Sequence, residues 1–424
     1  MVKLAIIGAG IGGCSAAYLA NKYLPEPDIT IYEMMGRVGG RILTRHEEQL
    51  KLEMGATFFT SLNRTILGFV KELGLKIEKA AGSTDFAIWN GSEIVLNSNQ
   101  HMMQTILELI LRYKTSTARM LFTLREAKQQ ISRLYKEDDR NSNEIGESFE
   151  RAGLDAWYKK TLNHLLTEKG VDKVFIDEVV TPITRTIYSQ DADIGGFAGL
   201  SSILAVYEGR SYSLDDGNSV LPMRLAERSG AEIKLGQKVN AIEKTSEGAY
   251  RVSTSKETGV FDAVVVATPM EHSGLEFDNI STETHEPIQY KTVYRRVVRG
   301  VIDPTYFGLA ESKLPSMILT TEEADPMIHF SIQKFMNGTS LLMISSTEPL
   351  DDDLLDKIMT KRQTVLEYRW LAAYPIFKPL QELPKIRLDE RLTYLNAMEP
   401  AASSMESSAL SALKAVRTIR SELS

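Results

Sequence analysis

The chain opens on a short apolar run that stops abruptly at glycine. Residues 3–7 (Lys-Leu-Ala-Ile-Ile) are continuous in hydrophobicity rather than alternating, the pattern of a strand covered on both faces. Cys14 to Lys22 then place Ala16, Ala17 and Ala20 where a helix could pack closely on that strand. Pro25 and Pro27 end the helix, and Asp28 to Tyr32 predict a second strand. Further on, a strand is predicted at Val239 to Ile242. After a small sheet excursion, a Val-rich buried strand at Phe261 to Val266 runs into Ala267-Thr268-Pro269. Gln100 to Lys136 carries Met102, Met103, Ile106, Leu111, Met120, Phe122 and Leu124 at largely helical spacing. Such Met-rich helices suit a packed core, an adaptable apolar pocket or a membrane surface. Lys136 to Glu150 is polar and charged and predicts a solvated connection. From Ser404 the pattern is helical again, with serine as the N-cap and small residues throughout.

The first turn carries the first chemistry. Gly8-Ala9-Gly10-Ile11-Gly12-Gly13 lies between the first strand and helix, and Glu33 ends the second strand. This spacing defines a dinucleotide site. Gly8 allows the tight turn, Gly10 the approach of a pyrophosphate, and Gly13 the close packing of helix on strand. The helix N-terminus offers N–H groups and a positive dipole end to the phosphates. Glu33 accepts from a ribose hydroxyl. A second Gly-rich loop, Arg37-Val38-Gly39-Gly40-Arg41, follows at once, and then Gly55-Ala56. A nicotinamide dehydrogenase has no use for it. There is no second Gly-x-Gly-x-x-Gly and only one cysteine, so a disulfide-reductase flavoenzyme is excluded.

Composition narrows the classes further. At 424 residues, with 43% hydrophobic and 25% charged residues, the chain suits two globular domains. A net charge of -7 argues against nucleic-acid binding. One cysteine and six scattered histidines make a metal site improbable. Cys14 reads as a small core residue, and His164, His272 and His285 as ordinary core or surface histidines. No 18-residue apolar stretch and no signal peptide are visible, which predicts a cytosolic protein. Sequons at Asn63, Asn90, Asn279 and Asn337 keep a secretory or lysosomal origin open, should a leader have been removed.

The Arg-x-Gly-Gly-Arg loop just after the ribose-binding acid resembles the flavin-containing amine oxidase superfamily. The resemblance implies FAD, with Gly39, Gly40, Arg37 and Arg41 along the diphosphate. It also places Gly55 and Ala56, the Val239 backbone on the adenine side and the Ala267-Thr268 turn at the cofactor. The C-terminal helix start at Glu399, Met405 and Glu406 would face the flavin and stabilise charge gathered on reduction. Lys291 is a candidate for the flavin-N5 lysine of that superfamily, against the alternative of a solvated lysine. Because family members with covalent flavin use a cysteine near the C-terminus, FAD is expected to be non-covalent here.

Four further stretches are similar to prenylcysteine oxidases: Thr181 to Gly199, Val206-Tyr207 with Asp216 to Pro222, Trp370 to Pro379, and the terminal run Tyr394 to Glu406. Asp216-Gly217 stands where that family has a Gly pair. This resemblance implies oxidative cleavage of a prenyl thioether to an aldehyde, free cysteine and hydrogen peroxide, with oxygen as acceptor and a hydrophobic small molecule as substrate. Trp370, Tyr374 and Phe377 are candidates for an aromatic wall at the flavin, against ordinary core packing. Alternatives are an amine oxidase, a carotenoid-desaturase-like enzyme, or an FAD-binding protein without turnover. The expected fold is α/β plus α+β. A Rossmann-like FAD domain (about 1–60, 210–275 and 380–424) is interleaved with a mixed substrate domain (about 61–209 and 276–379), with the ligand between them. Peripheral membrane contact is one of the three readings of the Met-rich stretch, beside a packed core and an apolar pocket.

Overall fold

A computed structural model describes residues 1–47, 50–80, 85–98, 110–138, 144–207, 210–280, 287–310 and 313–423. It begins with the expected unit: β1 (Val2–Ile7), α1 (Ile11–Tyr23) and β2 (Pro27–Glu33). β1 is central in a six-stranded sheet because both its faces are covered; Leu4, Ala5 and Ile6 are fully buried. β2 and then Glu232–Leu235 lie on one side of it, and Ala263–Val266, Leu392–Tyr394 and Arg387–Asp389 on the other. All pairs are parallel except the last. The sheet is thus assembled from the start, middle and end of the chain. Val239–Lys244 belongs to a four-stranded sheet beside it.

A seven-stranded mixed sheet forms the other half. It runs from β4 (Met359–Pro375) through β3 (Tyr290–Ile302), Ser340–Ser346, Met327–Lys334, Met317–Thr320 and Phe86–Trp89 to Ile94–Asn97. β3 alternates, burying Val293, Arg295 and Val297 on one face. The structure is therefore α/β joined to a mixed α+β half, as the pattern predicted.

Helices close the space between the sheets: α2 (Arg64–Glu72), α3 (Ser116–Asp138) and α4 (Met405–Glu422). α4 packs along α1, so the last described helix lies against the first. Met120 and Leu124 of α3 are core, whereas Leu111, just before it, and Phe122 are about 70% and 69% exposed. Met102, Met103 and Ile106 lie outside the described residues. The solvated connection expected at Lys136 to Glu150 is corrected in part. A helix spans Ile145–Ala152 and buries Ile145, Phe149 and Ala152 before Gly153 stops it in the left-handed region. Three apolar residues on one face suffice to dock a short helix, and the charges between them hid that face. Among the described residues no helix is long and apolar enough to cross a membrane.

Candidate active site

Two chambers meet between the sheets. The first, about 340 Å³, is lined by the two Gly-rich loops, the end of β2, the Ala267-Thr268 turn and the start of α4. Its floor is set by close backbone approach. A Cβ on Gly13 would fall 1.9 Å from Gly8 O, so only glycine lets α1 sit on β1. The loops lock together through Gly39 N donating to Ala9 O at 2.8 Å, and Gly40 has φ +55 with a Cβ position 3.0 Å from Gly10 Cα.

Glu33 and Arg37 brace this cradle. The Glu33 carboxylate accepts from Ala9 N at 2.8 Å and Met35 N at 2.7 Å while lining the chamber. A carboxylate has about four acceptor sites, so capacity remains for ribose hydroxyls. Arg37 lies behind the lining. Its guanidinium donates to Gly40 O at 2.6 Å and Ile42 O at 3.1 Å, holding the second loop in shape. Gly10, Ile11, Gly12, Gly39, Gly40, Arg41, Gly55, Ala56, Val239, Ala267, Thr268, Glu399 and Met405 all line the first chamber.

Arg41 pairs with the buried Glu399 carboxylate. Glu399 also accepts from Asn396 Nδ2 at 2.5 Å, Ser403 Oγ at 2.8 Å and the Tyr290 hydroxyl at 2.9 Å. Burial alone would raise this carboxyl; the Arg41 charge and the three donors outweigh it and hold it below the usual range. Arg41 is thereby presented to the chamber as a fixed cation. Ser404 caps α4: its Oγ accepts from Ser407 N at 3.0 Å, and Ser407 Oγ accepts from Ser404 N at 2.8 Å. Ser411 is among the residues lining the chamber, and its Oγ is buried without a protein partner. The glycine cradle, the fixed cation, the capped helix start and the unpartnered hydroxyl together fit a flavin dinucleotide.

The second chamber, about 380 Å³, is largely apolar, with Leu134 of α3 and Ile187, Leu204, Ile332 and Met343 in its walls. Eight residues line both chambers: Ala56, Arg295, Tyr374, Met398, Ser403, Ser404, Met405 and Ser407. Asn218 sets the position of this waist. Its Nδ2 donates to Ala56 O and Thr57 O, both at 3.0 Å, while Glu53 accepts from its backbone N at 2.8 Å. The stretches Thr181 to Gly199 and Trp370 to Pro379 are in direct contact. Gln190 bridges Pro375 O (2.8 Å) and Phe377 N (2.9 Å), and Tyr188 packs on both Tyr374 and Phe377.

The remaining candidates fall in different places. Trp370 and Tyr374 line the first chamber, with Trp370 Nε1 donating to Met54 O at 2.7 Å. Phe377 is buried behind Tyr188 and lines neither chamber, nor does Lys291. Glu406 faces away from the first chamber: it accepts from Thr65 N at 2.8 Å and Ile66 N at 3.0 Å, capping α2 from outside, and it lines the second chamber. Burial pushes its carboxyl upward despite these donors. His272 lines the first chamber beside Tyr290. Cys14 is core, its thiol pushed up by burial, and lines neither chamber. His285 lies outside the described residues. Arg295 and His329 escaped sequence reasoning. For Arg295 the signal was a cation between Val293 and Val297 at inward-facing strand positions. For His329, within the four consecutive buried residues 327–330, there was none.

A dinucleotide cradle opening onto an apolar chamber, in this fold, is the arrangement of a flavin oxidoreductase. A solved structure of cyclohexylamine oxidase from Brevibacterium oxydans IH-35A superposes with a TM-score of 0.66 at 16% identity, covering 100% of this chain and 99% of that one. The profile of an NAD(P)-binding Rossmann-like domain matches residues 6–73. That of prenylcysteine lyase matches residues 96–423, and the chain belongs to this family. Among curated relatives, human prenylcysteine oxidase 1 is 29% identical over 97% of this chain and 87% of its own length. Farnesylcysteine lyase of Arabidopsis thaliana is 29% identical over 98% and 87%.

Proposed function

We propose that the protein is an FAD-dependent oxidase that cleaves prenylcysteine-like thioethers to a prenyl aldehyde, free cysteine and hydrogen peroxide. The observation that carries this reading is the apolar chamber joined to the dinucleotide chamber through a shared waist. The bound flavin supplies the acceptor for the hydride that leaves the carbon next to sulfur, and oxygen takes the electrons onward. The chain's own residues bind and orient. The cradle and Arg41 hold the diphosphate and Glu33 the ribose. The apolar walls exclude bulk water but admit the one water that adds to the sulfur-stabilised substrate cation, and the resulting hemithioacetal collapses to aldehyde and thiol. Arg295 at the waist disfavours a polyamine, whose own charge it would repel. Non-covalent FAD is supported by Cys14, the single cysteine, standing outside both chambers. Peripheral lipid contact is supported by exposed Leu111 and Phe122 among Arg112, Lys114 and Arg125.

Anaerobic mixing with farnesylcysteine tests the reading. Bleaching of the oxidised flavin band and release of one aldehyde per flavin is the expected result. Bleaching by amines alone would transfer the protein to the amine oxidases, and no bleaching by either would leave an FAD-binding protein without turnover.

A further inference from the structure

Among the described residues Arg295 is a buried cation with no carboxylate in ion-pair contact. It is 8% exposed, faces inward from β3 and lines both chambers. Its Nη1 donates to Glu53 O at 2.8 Å and lies 3.8 Å from Met343 Sδ. No carboxylate among the described residues forms an ion pair with it. Arg41 and Arg185, by contrast, are paired with Glu399 and with Asp191 and Asp325. Glu53 is close enough for its charge to be felt, but its carboxylate accepts from Thr44 Oγ1 and Asn218 N, and burial raises its pKa. A desolvated cation without an anion is costly to keep, and a ligand that brings the anion removes the cost.

His329 supplies a second, independent observation. It is 7% exposed and lines the apolar chamber. Nε2 lies 3.4 Å from Ser345 Oγ, and Nδ1 is buried without a partner. Burial and the neighbouring Arg295 charge push its pKa down to about 3, so the imidazole is neutral and can accept a hydrogen bond.

We infer that the waist between the chambers is an amino-acid head-group site, in which Arg295 takes the α-carboxylate of an S-alkyl cysteine and His329 Nδ1 accepts from its ammonium group. The inference rests on the thioether reading above and fixes which end of the substrate lies where. The carboxylate is only a few bonds from the carbon beside sulfur. An anchor at the waist therefore keeps that carbon beside the dinucleotide chamber while the tail fills the apolar one. A methyl ester cannot provide the anion.

Calorimetric titration of the FAD-loaded full chain with S-dodecylcysteine tests the site, because the saturated tail lacks the allylic C–H and binds without turnover. Its methyl ester and 3-(dodecylthio)propanoic acid are the comparison ligands. The wild-type protein should prefer the free acid to the ester by about tenfold or more. Arg295→Gln should bring that ratio close to one with the ester's affinity little changed, and Arg295→Lys should restore part of it. His329→Leu should remove the advantage of the amino acid over the deaminated acid. An undiminished acid-to-ester ratio in Arg295→Gln overturns the assignment, above all if the flavin reduction potential shifts instead, which would pair Arg295 with the cofactor. Binding of all three ligands equally by the wild-type protein sinks the head-group site alone; binding of none sinks the thioether reading with it.

Discussion

Glu33 holds the first loop and the turn after β2 with the same carboxylate that lines the dinucleotide chamber. Glu33→Gln keeps the shape but turns a donor toward one of two backbone N–H groups. FAD should then be retained at least about tenfold less well, read as the flavin-to-protein ratio after gel filtration. Unchanged flavin content would remove the ribose assignment. His329 carries a pH prediction. Its pKa is about 3 in the fold against about 6.5 unfolded. Between these values the unfolded chain binds a proton that the fold excludes. The contribution is complete above about pH 6.5 and is lost toward pH 3, with a limiting slope of ~1.4 kcal/mol per pH unit. His329→Gln should flatten the fall of Tm with acid in that window, and an unaltered profile would refute it. At this scale the sequence was legible where spacing encodes chemistry: Gly8 to Gly13, Glu33, and the loop from Arg37 to Arg41. Arg295 and His329 were not, because they come together across strands of one sheet with no motif to mark them.

Elements were read well where caps mark their ends. Ser404 announced α4 and the structure places its N-cap there. The direction of Glu406 was hidden, since nothing local says that the second residue of one helix will cap another. Removing it in Glu406→Ala leaves the Thr65 and Ile66 N–H groups unsatisfied. A loss of about 2–3 kcal/mol in denaturant unfolding is expected, with FAD content preserved. Loss of flavin at unchanged stability would instead return Glu406 to the cofactor. The helix Ile145–Ala152 was missed for a related reason: its apolar face is three residues wide and composition averages it away.

For the whole molecule, the six-stranded sheet draws its strands from the start, middle and end of the chain, in keeping with Gly-rich loops that come early and a capped helix that comes last. The seven-stranded sheet was not legible, because its strands pair across long gaps, Phe86–Trp89 with Met317–Thr320 for example. One surface prediction belongs here. Leu111→Ser with Phe122→Ser should reduce sedimentation with anionic vesicles several-fold while leaving Tm within a few degrees; equal sedimentation would discard the lipid contact.

The packing of α4 on α1 has a consequence for biosynthesis. The first chamber is walled by residues up to Ala56 and by residues from Leu395 to Ser411. A nascent chain still holding its last helix inside the ribosome presents half a binding site, however long its N-terminal unit has been exposed. A dinucleotide held there would clasp together two parts of the chain that leave the ribosome far apart in time, so its loading would follow the synthesis of α4.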